Sequence, residues 1–396
     1  MLYRENKKGD KLSILGFGCM RFPRSGGKID EEKTEKLILS AYAGGVNYFD
    51  TAYLYGGSEE VLGRILSKHG LREKVKVATK LPHSGCRTPE DIERLFQISL
   101  TRLGTDYVDN YLMHNMSSFA QWESLVAAGV EGWIAGKKAE GSIRNIGFSY
   151  HGSLGDFKKL VDAYEWDFCQ IQYNYANETY QAGKEGLRYA SSKGLPVIIM
   201  EPLLGGQLAA KLPDKAKAEF QRRSGGDPVQ ASVSWALRWL WDQPEVTVVL
   251  SGMNEPEQLE ANLKSADLGT ANSFTDEDRE MFSRVLSIFR QSYRIPCTGC
   301  SYCMPCVKGI NIPAVFAAYN SSYSQSLFTG LFGYAMSVGA HGNFPHYASD
   351  CISCGKCMKH CPQKIKIPEE MKRVRRRLQV PGMKTIMKIY TKREQK

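Results

Sequence analysis

Eight of the eleven cysteines in this 396-residue chain stand in two groups near its end. The first is Cys297-x₂-Cys300-x₂-Cys303-x₂-Cys306, and the second is Cys351-x₂-Cys354-x₂-Cys357-x₃-Cys361-Pro362. Three cysteines at successive two-residue gaps wrap three irons of one cubane, and the fourth iron needs a remote thiolate. In two-cluster ferredoxins that thiolate comes from the other run. The spacing therefore assigns Cys297, Cys300, Cys303 and Cys361 to one [4Fe–4S] cluster, and Cys351, Cys354, Cys357 and Cys306 to a second. The first run departs twice from the usual pattern: its last gap is two residues, and Val307 replaces the usual proline. Paired zinc sites are the alternative, since Cys-x₂-Cys also suits zinc, although zinc seldom uses three such steps in a row. Cys19, Cys86 and Cys169 read as buried thiols.

A second set of chemically active side chains lies at the ends of short apolar runs. Asp50 closes Tyr48-Phe49-Asp50, Lys80 closes Val77-Ala78-Thr79-Lys80, and His114 closes Tyr111-Leu112-Met113-His114. Tyr55 follows Asp50 on a short loop. A tyrosine, with an ordinary pKa of about 10, is a poor acid at neutral pH. A nearby Lys⁺ stabilises its phenolate. A carboxylate keeps the lysine charged and in place, and a histidine hydrogen-bonds the reacting oxygen. Such a set suits protonation of a carbonyl oxygen while a hydride attacks the carbon.

The elements that must position these groups alternate regularly over residues 1–290. Strands are predicted at 13–17, 47–50, 75–79, 108–113, 143–148, 168–172, 196–200 and 246–250, with helices in the gaps. Helices are expected over 30–43, 58–67, 88–103, 228–241 and 255–266. Asp30 is a candidate cap, and Thr88 followed by Pro89 marks a helix start. Eight repeats over about 250 residues favour an α/β fold of the (β/α)₈ TIM-barrel type over an open doubly wound sheet. No Gly-x-Gly-x-x-Gly follows the first strand, so a Rossmann domain is a weak reading. Residues 2–12 suit a hairpin across the barrel floor, and 275–290 one more amphipathic helix capped by Thr275. After Tyr293 the texture changes to cysteine, proline and glycine, with helical signal only at 314–319 and in the basic tail. The expected domains are thus a barrel over 1–290 and a small ferredoxin-like iron–sulfur domain over 291–396.

The motif Asp50-Thr51-Ala52-Tyr53-Leu54-Tyr55-Gly56, followed by Lys80 and His114, resembles the Asp/Tyr/Lys/His tetrad of the aldo-keto reductases in order and approximate spacing. The likeness covers about residues 1–290 and extends to the subgroup with an appended two-cluster iron–sulfur domain. It implies an NAD(P)-dependent oxidoreductase that interconverts a carbonyl and an alcohol. Tyr55 is then the general acid, Lys80 tunes it, Asp50 holds Lys80, and His114 orients the substrate. It also implies an extended NAD or NADP across the barrel mouth. Ser149 and Gln170 match the carboxamide contacts, with Tyr150 in place of the usual asparagine. Met200, ahead of Pro202 and Leu203, falls where many members stack an aromatic ring on the nicotinamide. Ser251, Gly252 and Asn254, with Gln258 and Asn262, resemble the phosphate and adenine end, where a helix N-terminus suits an anion. NADP-specific members usually carry Lys or Arg there. None lies between Ser251 and Lys264, and Gln258 stands where an arginine is often found, so NADH and NADPH both stay open. Some proteins of this fold are nucleotide-sensing subunits rather than enzymes. The clusters have three readings: electron transfer with an external carrier, structure, or docking of a redox partner. Electron transfer without any nicotinamide is a further alternative.

Composition sets outer limits. The chain is 42% hydrophobic and 24% charged, which excludes wholesale disorder and fibrous architectures. No apolar run approaches the roughly 18 residues of a membrane span. The most apolar stretch, 328–340, is short and rich in glycine. The N-terminus has no apolar signal core, and eight grouped cysteines suit a reducing compartment, so a cytoplasmic protein is expected. The net charge of +10 is concentrated in residues 364–396, where twelve Lys or Arg stand against three Glu. The near-neutral remainder argues against nucleic-acid binding. The basic tail suits an acidic redox partner such as ferredoxin or flavodoxin, or contact with an anionic membrane through Met383, Ile386, Met387 and Ile389, or no partner at all.

Overall fold

The computed structural model of the chain describes residues 1–338 and 346–384. Eight parallel strands close into a barrel. They are β1 (Leu15–Gly18), β2 (Tyr48–Asp50), β3 (Lys76–Leu81), β4 (Val108–Met116), β5 (Ile143–Tyr150), β6 (Phe168–Gln172), β7 (Val197–Met200) and β8 (Val246–Ser251). Each strand pairs with the next in sequence, and β8 pairs with β1 through Ser251 and Phe17. All eight expected strands are present, so the barrel is the right architecture. Their interior is filled by Tyr48, Ala78, Leu112, Phe168, Ile198, Val248 and Leu250, with Leu12 entering from below.

The hairpin expected across the floor forms from antiparallel Tyr3–Glu5 and Lys11–Ser13. It is fastened to the N-terminal ends of the strands. The Arg4 guanidinium donates to the carbonyls of Trp241, Gln243 and Val246, and Lys7 and Lys8 donate to those of Trp166 and Arg144. The floor is sealed, which leaves the C-terminal mouth for chemistry.

Helix starts follow local chemistry. The Asp30 side chain accepts from Lys33 N ahead of helix Glu31–Ala43. Thr88 accepts from Asp91 N ahead of Pro89–Leu103. Thr275 and Asp278 form a reciprocal capping box on Asp276–Ser292.

The chain gathers into two compact units that do not follow chain order. One holds Met1–Pro202 and Val233–Phe274; the other holds Leu203–Ser232 and the chain from Thr275 onward. In the second unit, helix Asp214–Ser224 packs on Asp276–Ser292 through Phe220 and Phe282, whose ring centroids are 5.3 Å apart. Its core is built from Ile295, Val315, Phe316, Tyr334, Ile367, Met371 and Leu378, with six of the grouped cysteines against it.

The expected helical content of this half needs correction. Besides Ile312–Ser324 and Ile367–Leu378, a helix spans Leu327–Ser337 and a short one spans Lys356–Lys359. Gly330 hid the first from a propensity reading. It lies so close to its neighbour that a Cβ there would stand 2.3 Å from Ser322 Cβ, so a glycine unfavourable to an isolated helix is what lets this one pack. The ends of two expected segments, 339–340 and 385–396 with Ile386, Met387 and Ile389, lie outside the described residues.

Candidate active site

Asp50, Lys80 and His114 arrive at the barrel mouth on three adjacent strands. The buried Lys80 Nζ donates to Asp50 Oδ1 at 2.6 Å and to Thr51 O at 2.7 Å. Both members of the pair are nearly inaccessible, at 1% and 4% side-chain exposure. Burial pushes the Asp50 carboxyl above its ordinary value, and the Lys80 ammonium pulls it back. Tyr55 is half-buried above this pair. Lys80 Nζ lies 5.0 Å from its ring centroid, and the His114 ring meets it edge-on at 5.8 Å and 83°. The loop carrying Tyr55 is staked at both ends: Thr51 Oγ1 and Ser58 Oγ are 2.8 Å apart, and Ser58 also donates to Cys19 O.

The imidazole of His114 is neutral at ordinary pH. Burial pushes it well below its usual value, with Lys80, His151 and His83 adding repulsion. Its Nδ1 has no partner among the described residues, so the ring keeps hydrogen-bonding capacity to spare. The pairing of β4 with β5 shifts register between Met113 and Met116, and Asn115 there has a φ of 57°. This bulge aims the Asn115 N–H at Ser149 Oγ, 2.7 Å away. Neither the bulge nor the buried His151 and half-buried His83 nearby was legible in the sequence.

The expected cofactor contacts fall into three groups. Ser149 and Gln170 are register partners on β5 and β6. Both are buried, and Gln170 Oε1 has no partner among the described residues. An orphaned buried carbonyl oxygen suits the N–H groups of a carboxamide. Met200 is half-buried at the end of β7, and Pro202 is buried. Leu203 is the first residue of the second unit. At the end of β8, buried Asn262 donates to Ser251 Oγ at 2.9 Å, and Gln258 Oε1 accepts from Asn254 N at 3.1 Å. Gly252 is exposed, and the side chain of Arg21 lies against it: a Cβ there would sit 3.2 Å from Arg21 Cδ. Arg21 was missed because it is remote in sequence. The signal was barrel closure, which puts the residues after the first strand beside the last.

The grouped cysteines fall into two neighbourhoods. One cavity is lined by Cys306, Cys351, Cys354 and Cys357 together with Val307, Ile310 and Ile352. The Cys303 thiol feels Cys297, Cys300 and Cys361, and burial pushes it up to about 12. Cys297, likewise pushed up by burial to about 11, feels Cys300 and Cys361. Cys361 thus lies near the first run and Cys306 near the second. Cys19, Cys86 and Cys169 are buried, away from both sets in sequence.

A closed barrel with a tyrosine over a buried lysine–aspartate pair and a neutral histidine is the constellation of a carbonyl-reducing oxidoreductase barrel. Residues 14–281 match the model of the aldo/keto reductase family, and the chain belongs to that family. Residues 296–365 match the 4Fe-4S dicluster domain. The chain is 27% identical over 317 residues to the "NADH-specific methylglyoxal reductase" of Escherichia coli, covering 68% of this chain and 94% of that protein. It is 27% identical over 297 residues to the "L-galactose dehydrogenase" of Arabidopsis thaliana, covering 71% and 91%. Among solved structures, an aldo-keto reductase from Bacillus halodurans in its holo form shares the fold. Its TM-score is 0.59 at 24% identity, covering 72% of this chain and 96% of that one. No described helix is long and apolar enough to cross a membrane.

Proposed function

We propose that this chain reduces the carbonyl of a small molecule to an alcohol, with NADH as the hydride donor and Tyr55 as the proton donor. The observation that carries the reading is the Lys80 ammonium, held 2.6 Å from Asp50 and 5.0 Å from the Tyr55 ring centroid. When bound, a dihydronicotinamide supplies the hydride to the carbonyl carbon. Tyr55 Oη gives its proton to the carbonyl oxygen, and Lys80 stabilises the phenolate left behind. Asp50 and Thr51 O keep Lys80 in place. His114 hydrogen-bonds the carbonyl oxygen from its neutral ring and fixes its direction. Ser149 and Gln170 hold the carboxamide, and Met200 and Pro202 flank the nicotinamide. Arg21, Ser251, Gly252, Asn254, Gln258 and Asn262 hold the phosphate and adenine end.

NADH is favoured over NADPH because the adenine end offers Gln258 and the carboxylates of Glu255 and Glu257, and Glu255 already occupies Lys33 at 2.5 Å. A 2′-phosphate finds no free cation in that helix turn. The name of the Escherichia coli relative points the same way and makes small dicarbonyls the first substrates to try.

The two sets of four cysteines suit two [4Fe–4S] clusters, which supply one-electron exchange with an acidic carrier such as ferredoxin or flavodoxin. The cavity formed by Cys306 with the second run favours the exchanged ligand sets over paired zinc sites. Reduced clusters and thiols suit the cytoplasm. The test is anaerobic turnover of the cluster-replete protein with small aldehydes and dicarbonyls, using each nucleotide. Turnover with NADH supports the reading. Nucleotide binding without turnover on any carbonyl would favour a sensor instead.

A further inference from the structure

From Gly309 to Ser349 the chain contains no Asp, Glu, Lys or Arg. Helix Leu327–Ser337 lies inside this stretch. Phe328, Phe332 and Met336, spaced by four residues, share one of its faces. They are exposed to 78%, 62% and 43%, and Leu327 beside them to 48%. Isolated exposed apolar residues need no explanation, but a contiguous patch does.

The opposite face explains why the helix cannot turn its phenylalanines inward. Gly330 packs directly on Ser322 and Ala318 of helix Ile312–Ser324. Tyr334 is fully buried, its hydroxyl accepting from Ala348 N at 2.9 Å. The rotation of the helix is therefore fixed from within, and the aromatic ridge faces out by construction.

Beside the ridge lies a shallow basic depression, lined by Tyr319, Tyr323, Leu327, Arg373, Arg376 and Arg377. Arg377 is pinned over the Tyr323 ring at 3.8 Å while its Nε donates to Ser322 Oγ at 2.7 Å. Arg294 stands at 5.0 Å from the same ring. Arg373 pairs with Glu370, but neither Arg376 nor Arg377 has a carboxylate within ion-pair distance among the described residues. Leu327 borders both features, so apolar insertion and positive charge are adjacent on one surface.

We infer that this surface seats the protein on an anionic phospholipid bilayer, with Phe328, Phe332 and Met336 entering the acyl boundary and Arg376 and Arg377 meeting the headgroup phosphates. A protruding uncharged ridge flanked by arginines is the pattern of an interfacial anchor, and anionic leaflets attract such clusters. An isologous pairing of two copies through this face would bring Arg376 and Arg377 of both copies into one interface, which the same charges oppose.

The test is flotation of the cluster-replete full chain with vesicles of phosphatidylcholine alone and of phosphatidylcholine with phosphatidylglycerol. Alongside it, sedimentation velocity reports the oligomeric state. Binding is expected only to the anionic vesicles, weakening with salt. Phe328→Ser with Phe332→Ser should lower the partition coefficient at least tenfold, and Arg376→Glu about fivefold or more, with reductase turnover in solution unchanged. Both phenylalanines are exposed, so their replacement does not threaten folding. Failure to bind anionic vesicles overturns the inference. So does binding indifferent to the double phenylalanine variant, which would assign it to the basic tail. A lipid-independent dimer that the double variant dissociates would give the face to a second copy and overturn it as well.

Discussion

Replacing Asp50 by Asn tests the central pair while changing almost no volume. In the native site the Lys80 ammonium has two acceptors, Asp50 Oδ1 at 2.6 Å and Thr51 O at 2.7 Å. At 2.6 Å, and with an effective dielectric constant of about 20, the gross attraction between the charges is about 6 kcal/mol. Desolvation offsets part of it, and removing one member of a buried pair costs about 3–5 kcal/mol net. For a unit of this size that lowers the melting temperature by about 10 °C. The kinetic effect follows from the same loss. Without the Asp50 carboxylate the Lys80 ammonium keeps only Thr51 O as an acceptor, and it is no longer held where it stabilises the Tyr55 phenolate. The value of kcat/KM for carbonyl reduction should fall by about 10²–10⁴, the usual span of a general acid contribution. The assay is anaerobic steady-state reduction across pH, run well below the variant's melting temperature, with nucleotide affinity measured alongside. If kcat/KM changes by less than a factor of about three, Asp50 is not what keeps Lys80 effective. That result would refute the chain of roles.

Four further outcomes are expected. Arg21→Ala should raise KM for both nucleotides by about ten- to a hundredfold, the worth of one charge-assisted hydrogen bond; an unchanged KM would place the pyrophosphate elsewhere. Gly205→Ala should cost one of the two clusters, since φ at this position is +63° and a Cβ would stand 1.9 Å from Thr298 O, next to Cys297; iron analysis should then fall from about eight atoms per chain towards four, and full iron content would count against it. Stability should fall as pH drops from about 6.5 towards 4. Burial holds His151 down at about 4, with His114 and His83 also lowered, so the unfolded chain binds more protons in that window. Each histidine contributes up to about 1.4 kcal/mol per pH unit, and denaturant unfolding of His151→Asn should show the slope reduced by about one proton. Cys306→Ser should abolish the cluster bound by Cys351, Cys354 and Cys357 and spare the other, as followed by EPR of the reduced protein.

What was legible in the sequence follows from where information is local. Strand ends were readable because a buried parallel strand is an apolar run, and a polar residue at its C-terminal end stands out. That is how Asp50, Lys80 and His114 were found, although they lie on three separate strands. The iron–sulfur domain was readable because its cysteines stand in two short runs of fixed spacing. Arg21 was not readable, because its place beside Gly252 depends on β8 closing on β1, whose register partners such as Ser251 and Phe17 are 234 residues apart in sequence. The β4 bulge at Asn115 was also hidden: one extra residue in an apolar strand leaves no mark on hydropathy. Helix Leu327–Ser337 escaped because its two glycines argue against helix locally, while tertiary contact with Ser322 rewards one of them. The gathering of Leu203–Ser232 with the cysteine-bearing segment likewise has no sequence signature, since those residues read as one more βα connection.

Tyr55→Phe is the most direct test of the central claim. The substitution removes one oxygen from a half-buried side chain and leaves Lys80, Asp50 and His114 in place. The protein should be loaded anaerobically with NADH, its affinity determined by titration, and then mixed with a small dicarbonyl while nicotinamide and cluster absorbance are followed together. The expected result is unchanged NADH binding, intact clusters and a loss of at least about a hundredfold in the rate of carbonyl reduction. Turnover at close to the native rate would contradict it, because the proton would then come from elsewhere.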